Sequence, residues 1–401
     1  MAPLWGSLSS LYQQYSPLAT SESSNGAASA DSLNSLKVRP SIGQILMSKR
    51  VRYTGTALAA IALFVLAFRN YDSLPSLDTL KSGYGAAPSN PNSNCPTASV
   101  PASYDDSHIN WSRFAYTQYV TNQAYLCNSV MIFETLYRLG SKADRVMMYP
   151  DSMMDPTATE GTTEAARLLI KARDVYKVKL HPVAVQRRAG GDSTWAESFT
   201  KLLAFNQTQY ERVLNVDSDA TILQTMDELF LMPPCPVAMP RAYWLFPDSK
   251  ILSSQLMLVQ PSAVEFDRIQ KKVSEAGKND YDMEIVNQLY IDQAMILPHR
   301  PYDLLTGEFR GDNHEKYLGT DREEWDPVAV FNEAKFLHFS DWPVPKPWIP
   351  MQESMRKDKQ PQCVQKNGVE DCSARELWNG FYTDFTDRRA KVCNTKSSSR
   401  R

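Results

Sequence analysis

Little in this composition is extreme, and each shortage narrows the field. Glycine is scarce, 16 of 401 residues, while 43% of the chain is apolar, which excludes fibrous and disordered classes and leaves enough material for a sizeable core. Neither sign of charge prevails: 43 Lys and Arg face 45 Asp and Glu. No bulk positive field therefore draws the chain onto a phosphate backbone, and nucleic acid is not an expected partner. Self-similarity at periods of roughly 20–50 residues is absent, which argues against solenoids and propellers. The six cysteines, Cys95, Cys127, Cys235, Cys363, Cys372 and Cys393, match no zinc-site spacing. Cys363, Cys372 and Cys393 read instead as staples of the tail, with about fifteen pairings of the six open.

Long apolar runs are also missing, with one exception. Thr54 to Phe68, TGTALAAIALFVLAF, holds fifteen residues without a charge, between Lys49, Arg50 and Arg52 on one side and Arg69 on the other. It is shorter than the roughly 20 residues of an average membrane span, but Tyr53 and Tyr71 can occupy the two interfaces. More than fifty residues precede it, which disfavours a cleaved signal peptide. The basic excess before the run, including Lys37 and Arg39, predicts a cytosolic amino terminus and a luminal remainder. Asn110-Trp111-Ser112 and Asn206-Gln207-Thr208 are then glycosylation acceptors, and the cysteines lie on the side that permits disulfides. The expected division is a cytosolic tail 1–52, a signal anchor 53–69, a Pro, Ser and Asn-rich luminal stem 70–110, a folded domain 111–350 and a charged, irregular tail 351–401.

Strand and helix patterns alternate through the folded domain. FAYTQYV reads as a strand, Asn122 to Leu139 as a helix stopped by Gly140, and RVMMYP as a second strand. A helix from Thr163 to Tyr176, a strand VKLHPVAV, a helix from Trp195 to Phe205 and a strand RVLNVD follow. Beyond them come a helical Met226 to Phe230, a strand SQLMLVQ, helices opening at Ser262 and Met283, and a strand KFLHFS. Such alternation implies crossover connections and a mostly parallel sheet with helices on both faces.

Ligands of such sheets collect beyond the carboxyl ends of the strands, and Asp217-Ser218-Asp219 stands at such an end. Two carboxylates one residue apart can share a hard divalent cation, which in turn can bridge the phosphates of a nucleoside diphosphate. Asp280-Tyr281-Asp282 repeats the spacing after the polar stretch SEAGKN and reads as a solvated helix-entry loop. His299 and His314 read as loop residues.

The frame ERVLNVDSDATILQTMDELF resembles glycosyltransferase family 8, the glycogenin-like group, and further blocks occur in order from about Phe114 to Trp348. The resemblance implies an A-type, Rossmann-like glycosyltransferase fold preceded by one transmembrane helix. It makes Thr121, Asn122 and Tyr125 the uridine-holding element and Lys201, in Phe199-Thr200-Lys201-Leu202, a group facing donor sugar and phosphates. From HFSDWPVPKPW it makes His338 the third metal ligand beside Asp217 and Asp219, and Lys346 a phosphate ligand. Asp292-Gln293 takes the sugar-site Asp-Gln pair, with Asp292 the candidate catalytic carboxylate. Ser218 and Ser254 join the donor site, although Ser253-Ser254-Gln255 departs from the family's Asn-Ser-Gly and leaves the donor sugar open. YDMEIVNQLY and LPHRPYDLLTGEFR resemble the fungal Golgi N-acetylglucosaminyltransferase subgroup. A Golgi type II membrane protein is implied, with Mn²⁺ or Mg²⁺ as cofactor, and with retaining transfer from UDP-N-acetylglucosamine, UDP-glucose or UDP-galactose to a mannose-containing glycan. A silent glycan-binding relative and a nucleotidyltransferase are the alternatives.

Overall fold

In strand β1 (Phe114–Tyr119) side chains alternate between two apolar clusters, Phe114 and Tyr116 entering one and Ala115 the other. A strand buried on both faces follows from that pattern. The structure, a computed structural model, describes residues 107–186, 197–277, 279–366 and 368–394. Helix α1 (Gln123–Arg138) returns from β1, and the Asn122 side chain caps it by accepting the backbone N–H groups of Ala124 and Tyr125 at 3.0 and 3.4 Å. After Gly140, at φ 72°, comes β2 (Asp144–Pro150). Helix α2 (Glu164–Asp174), capped by Thr163, leads to β3 (Val178–Val183). A 3₁₀ segment, Ser198–Asn206, leads to β4 (Arg212–Val216).

The chain then makes β5 (Ala220–Ile222), β6 (Val237–Pro240) and β7 (Leu256–Val259), followed by helices α3 (Ala263–Ser274) and α4 (Asp282–Tyr290). Strands β8 (Met295–Leu297), β9 (Leu304–Leu305) and β10 (Phe336–His338) complete two sheets. The larger is ordered β3-β2-β1-β4-β7-β6-β8, with β1 to β4 parallel, β7 antiparallel to both neighbours and β8 parallel to β6. Helices α1 and α2 cover one face, whereas the 198–206 segment, α3 and α4 cover the other. The mixed, mostly parallel sheet is the expected class. The expected helices at Trp195–Phe205 and Met226–Phe230 are 3₁₀ instead, Trp195 itself lying outside the described residues.

Residues 351–394 depart from the irregular tail that their charge suggested. A hairpin of Val364–Lys366 with Val369–Asp371 is closed by the Cys363–Cys372 disulfide. Helix α5 (Ser373–Cys393) then packs Trp378, Phe381, Tyr382 and Phe385 into the core beside α1. The wide spacing of those aromatics among Arg, Asp and Thr hides the apolar stripe. Cys393 pairs with Cys127 on α1, so the tail cysteines do not staple only one another. Cys235 is the free cysteine among the described residues.

The stretches expected as cytosolic tail and anchor, 1–69, and the stem up to residue 106, with Cys95, lie outside the described residues. Among the described residues no helix is long and apolar enough to cross a membrane. Asn110 and Asn206 are both exposed.

A cross-link spanning 266 positions removes much freedom from the unfolded chain. Replacing Cys127 and Cys393 together by Ala is expected to cost about 2–5 kcal/mol in denaturant unfolding. An unchanged midpoint would mean that α5 docks equally well without the bond.

Candidate active site

Strand β4 is buried along its whole length, and the chain turns at its carboxyl end to place Asp217, Ser218 and Asp219. The Asp217 N–H donates to the Gln255 carbonyl at 2.9 Å, which ties this end of β4 to the segment entering β7. The motif continues directly into β5, and β5 pairs antiparallel with β10 in the register that sets Ala220 opposite His338. The Phe339 N–H reaches the Asp219 carbonyl at 2.9 Å. Two segments far apart in sequence are thereby zipped together, and the His338 ring lands on the acid motif.

His338 Nε2 lies 3.0 Å from Asp219 Oδ1 and 3.9 Å from Asp217 Oδ2. One ligand atom from each of Asp217, Asp219 and His338 fits within a span of 4.8 Å. Lys346 Nζ donates to Asp219 Oδ2 and to the Phe339 carbonyl, each at 2.6 Å. On the other side Lys201 is buried, with Nζ 2.8 Å from Asp217 Oδ1 and 2.6 Å from Asp282 Oδ2. Ser254 completes this corner: its carbonyl lies 3.3 Å from Lys201 Nζ, and its hydroxyl donates to Asp282 at 2.8 Å.

Tyr125, at the start of α1, stacks edge-on to Trp348 with ring centroids 5.5 Å apart. Its hydroxyl is pushed up to about 12 by burial, then by the Asp219 and Asp217 charges. Thr121 and Asn122 precede it at the α1 cap. Ser218 is buried between the two acids. Asp292 and Gln293 stand exposed beyond the far end of α4, roughly 15 Å along the helix axis from Asp282 at 1.5 Å per residue. They are not brought to the cluster.

Asp282 is the site residue that sequence reasoning misplaced. It is buried at the first position of α4, whereas Asp280 stays in the loop, accepting the Gly277 N–H and a Gln288 amide. A signal did exist: Asp282 shares the helical stripe of Ile285, Val286 and Tyr290, all buried, so α4 presents its first residue to the interior. His299 and His314 are structural, His299 with Nε2 2.6 Å from the Tyr317 carbonyl and His314 with Nδ1 2.8 Å from Glu308.

Three carboxylates here face two ammonium groups and one imidazole. Burial raises the Asp217 carboxyl to about 6, with Asp219 adding to the rise and Lys201 and His338 opposing it. Burial would raise Asp219 as well, yet His338 and Lys346 outweigh it and hold that carboxyl well below the ordinary range. Burial opposes the charge on Lys201, but Asp217 and Asp282 lift its ammonium well above the ordinary value. Hard carboxylate oxygens with one imidazole at this spacing suit a divalent cation such as Mn²⁺ or Mg²⁺.

The site thus joins a mostly parallel α/β sheet, an Asp-x-Asp motif at a strand end and a histidine brought beside it. No family model matches the chain. The chain is 61% identical over 290 residues to glucose N-acetyltransferase 1 of Gibberella zeae, covering 72% of this chain and 64% of that protein. It is 46% identical over 314 residues to glucose N-acetyltransferase 1 of Aspergillus fumigatus, covering 74% of this chain and 81% of that one. The chain belongs to this fungal glucose N-acetyltransferase 1 family. Among solved structures it is similar to the bifunctional glycosyltransferase WbbM, at 14% identity and a TM-score of 0.47, over 70% of this chain and 50% of that one, a likeness too remote to carry an argument.

Two outcomes follow from the geometry. Lys201→Met leaves two buried carboxylates without their shared cation and is expected to cost about 3–5 kcal/mol in denaturant unfolding of the metal-free protein. A loss within the ordinary surface range of about 0.5 kcal/mol would show that the acids have other partners. Asp217, raised to about 6, must be deprotonated to bind a cation. Mn²⁺ affinity, measured by calorimetry, is therefore expected to weaken by about tenfold per pH unit below 6. A flat profile would remove Asp217 from the ligands.

Proposed function

We propose that this protein is a metal-dependent glycosyltransferase that moves a sugar, N-acetylglucosamine in the first instance, from a UDP-sugar to a hydroxyl of a glycan acceptor. The observation that carries the proposal is the convergence of Asp217, Asp219 and His338 within 4.8 Å, with a lysine on either side. The family's name supports a substrate of the glucosamine type, and the spacing of the acids supports a diphosphate donor.

A bound divalent cation would neutralise the charge that builds on the diphosphate as the sugar leaves. Asp217, Asp219 and His338 would hold it. Lys346 would turn from Asp219 towards the phosphates as a point charge. Lys201 stays between Asp217 and Asp282, fixing where both carboxylates point rather than touching the donor itself. Tyr125, beside Trp348 and near the acids, supplies an aromatic surface for the base, with Thr121 and Asn122 at its edge. Ser218 and Ser254 line the sugar side. Asp282, not Asp292, is the carboxylate nearest the reacting centre, and retention at the anomeric carbon by a covalent or a same-face route would draw on it equally.

We also propose that residues 53–69 anchor the chain as a type II protein of the Golgi membrane with this domain in the lumen. The exposed sequons at Asn110 and Asn206 and the two disulfides support an oxidising, glycosylating compartment.

A screen of nucleotide sugars for Mn²⁺-dependent hydrolysis tests the activity. Asp217→Asn, Asp219→Asn and His338→Ala are each expected to lower the rate at least about a hundredfold, near 3 kcal/mol of lost transition-state stabilisation. Asp282→Asn is expected to follow them and Asp280→Asn to behave as the parent. Hydrolysis unaffected by the metal-site changes would sink the assignment.

A further inference from the structure

Lys346 rides on the segment between β10 and Trp348, and the course of that segment is set from outside it. Asp341 is its buried anchor, with a side chain 1% exposed. The two carboxylate oxygens are divided between two elements. Oδ1 accepts from Arg310 Nε at 2.5 Å, while Oδ2 accepts from Trp378 Nε1 at 2.6 Å and from the Tyr382 hydroxyl at 3.5 Å. Arg310 also donates to the Trp342 carbonyl at 3.0 Å.

Close packing fixes the same stretch. The Gly307 N–H donates to the Ser340 carbonyl at 3.2 Å, and a Cβ on Gly307 would fall 2.9 Å from that oxygen and 3.3 Å from Asp341 Oδ1. Only glycine allows the approach. Phe339 packs edge-on against Tyr382 and Phe385 of α5, at 5.3 and 5.0 Å between centroids. From Asp341 onward the chain has few ways to bend, because Pro343, Pro345 and Pro347 fix φ and the Val344 N–H closes on the Asp341 carbonyl at 2.7 Å. The place of the Lys346 ammonium thus follows from the place of Asp341.

We propose that Asp341 is a positioning residue for Lys346 and that Trp378, presented by the C-terminal helix, holds it in place, which makes α5 a working part of the donor site. The donor half of this proposal rests on the reading that Lys346 meets the diphosphate. The positional half rests on the hydrogen bonds alone. Charge-assisted bonds to a buried carboxylate are the strong ones, so loss of the indole donor frees Asp341 on the side facing α5.

The test uses Trp378→Phe in the full-length protein, since Phe keeps an aromatic ring there and removes only the N–H donor and part of the ring. The first readout needs no donor: acylation of Lys346, quantified by peptide mass spectrometry against Lys271 as an exposed reference. Lys346 is expected to react severalfold faster in the variant as its pairing with Asp219 loosens. The second is UDP affinity with excess Mn²⁺, expected to weaken about tenfold while Mn²⁺ affinity without UDP stays within about twofold. Lys346→Ala should then weaken UDP binding much less in the Trp378→Phe background than in the parent, because the two residues act through one contact. If Trp378→Phe does not fold, Asp341→Asn carries the same readouts. Unchanged acylation of Lys346, or losses from the two substitutions that simply add, would overturn the proposal. Faster acylation in a protein whose parent binds no UDP would support the positional role and overturn the donor reading instead.

Discussion

Lys201 and the two carboxylates it joins are the constraint from which the rest of the site follows. Asp217 comes from the end of β4 and Asp282 from the start of α4, and neither could be buried beside the other without a cation between them. Coulombic repulsion in a poorly solvated interior would neutralise one acid or push the segments apart. With Lys201 in place, Asp217 keeps an oxygen directed towards Asp219 and His338, and the second lysine balances the far side. The arrangement is costly for a fold and advantageous for a site. Charge is held where it is hard to hold, so a cation brought by a ligand has something to meet.

Much of this architecture was legible in the chain. Apolar runs such as RVLNV and LMLV announce strands buried on both faces, and the caps Asn122, Thr163 and Ser262 mark where helices begin. The strand-end position of Asp217 to Asp219 follows from the same pattern. What was not legible depends on pairing between distant segments. No local signal says that β10 lies antiparallel to β5 with His338 against Ala220, and only the resemblance of His338 and Lys346 to a known motif anticipated their meeting with the acids. Asp282 was misread because the polar residues before it look like a solvated loop, while its burial is decided by the helix after it. Asp292, at the opposite end of that helix, has a suitable neighbour in sequence and an unsuitable address in space.

The C-terminal region teaches the same lesson on a larger scale. Its charge content suggested a solvated tail, yet a few aromatic side chains on one face of α5 are enough to bring it into the core. Composition averages over a helix, whereas packing uses only one side of it. The charged side is not idle: Arg388 and Arg389 reach α1 at Thr135 and Asn128.

The bond between Cys127 and Cys393 has a consequence for how the protein is made. Cys127 leaves the ribosome 266 residues before its partner, which at about 5–20 residues per second is a delay of roughly 15 to 50 seconds. Through that interval Cys127 has no access to its final partner, and Cys235 emerges well before Cys393 does. Premature pairing of Cys127 with Cys235 would trap the sheet before its last helix arrives. In an oxidising compartment successful folding therefore depends on keeping Cys127 apart from Cys235 until α5 arrives, and the yield of folded protein becomes a matter of timing as much as of stability.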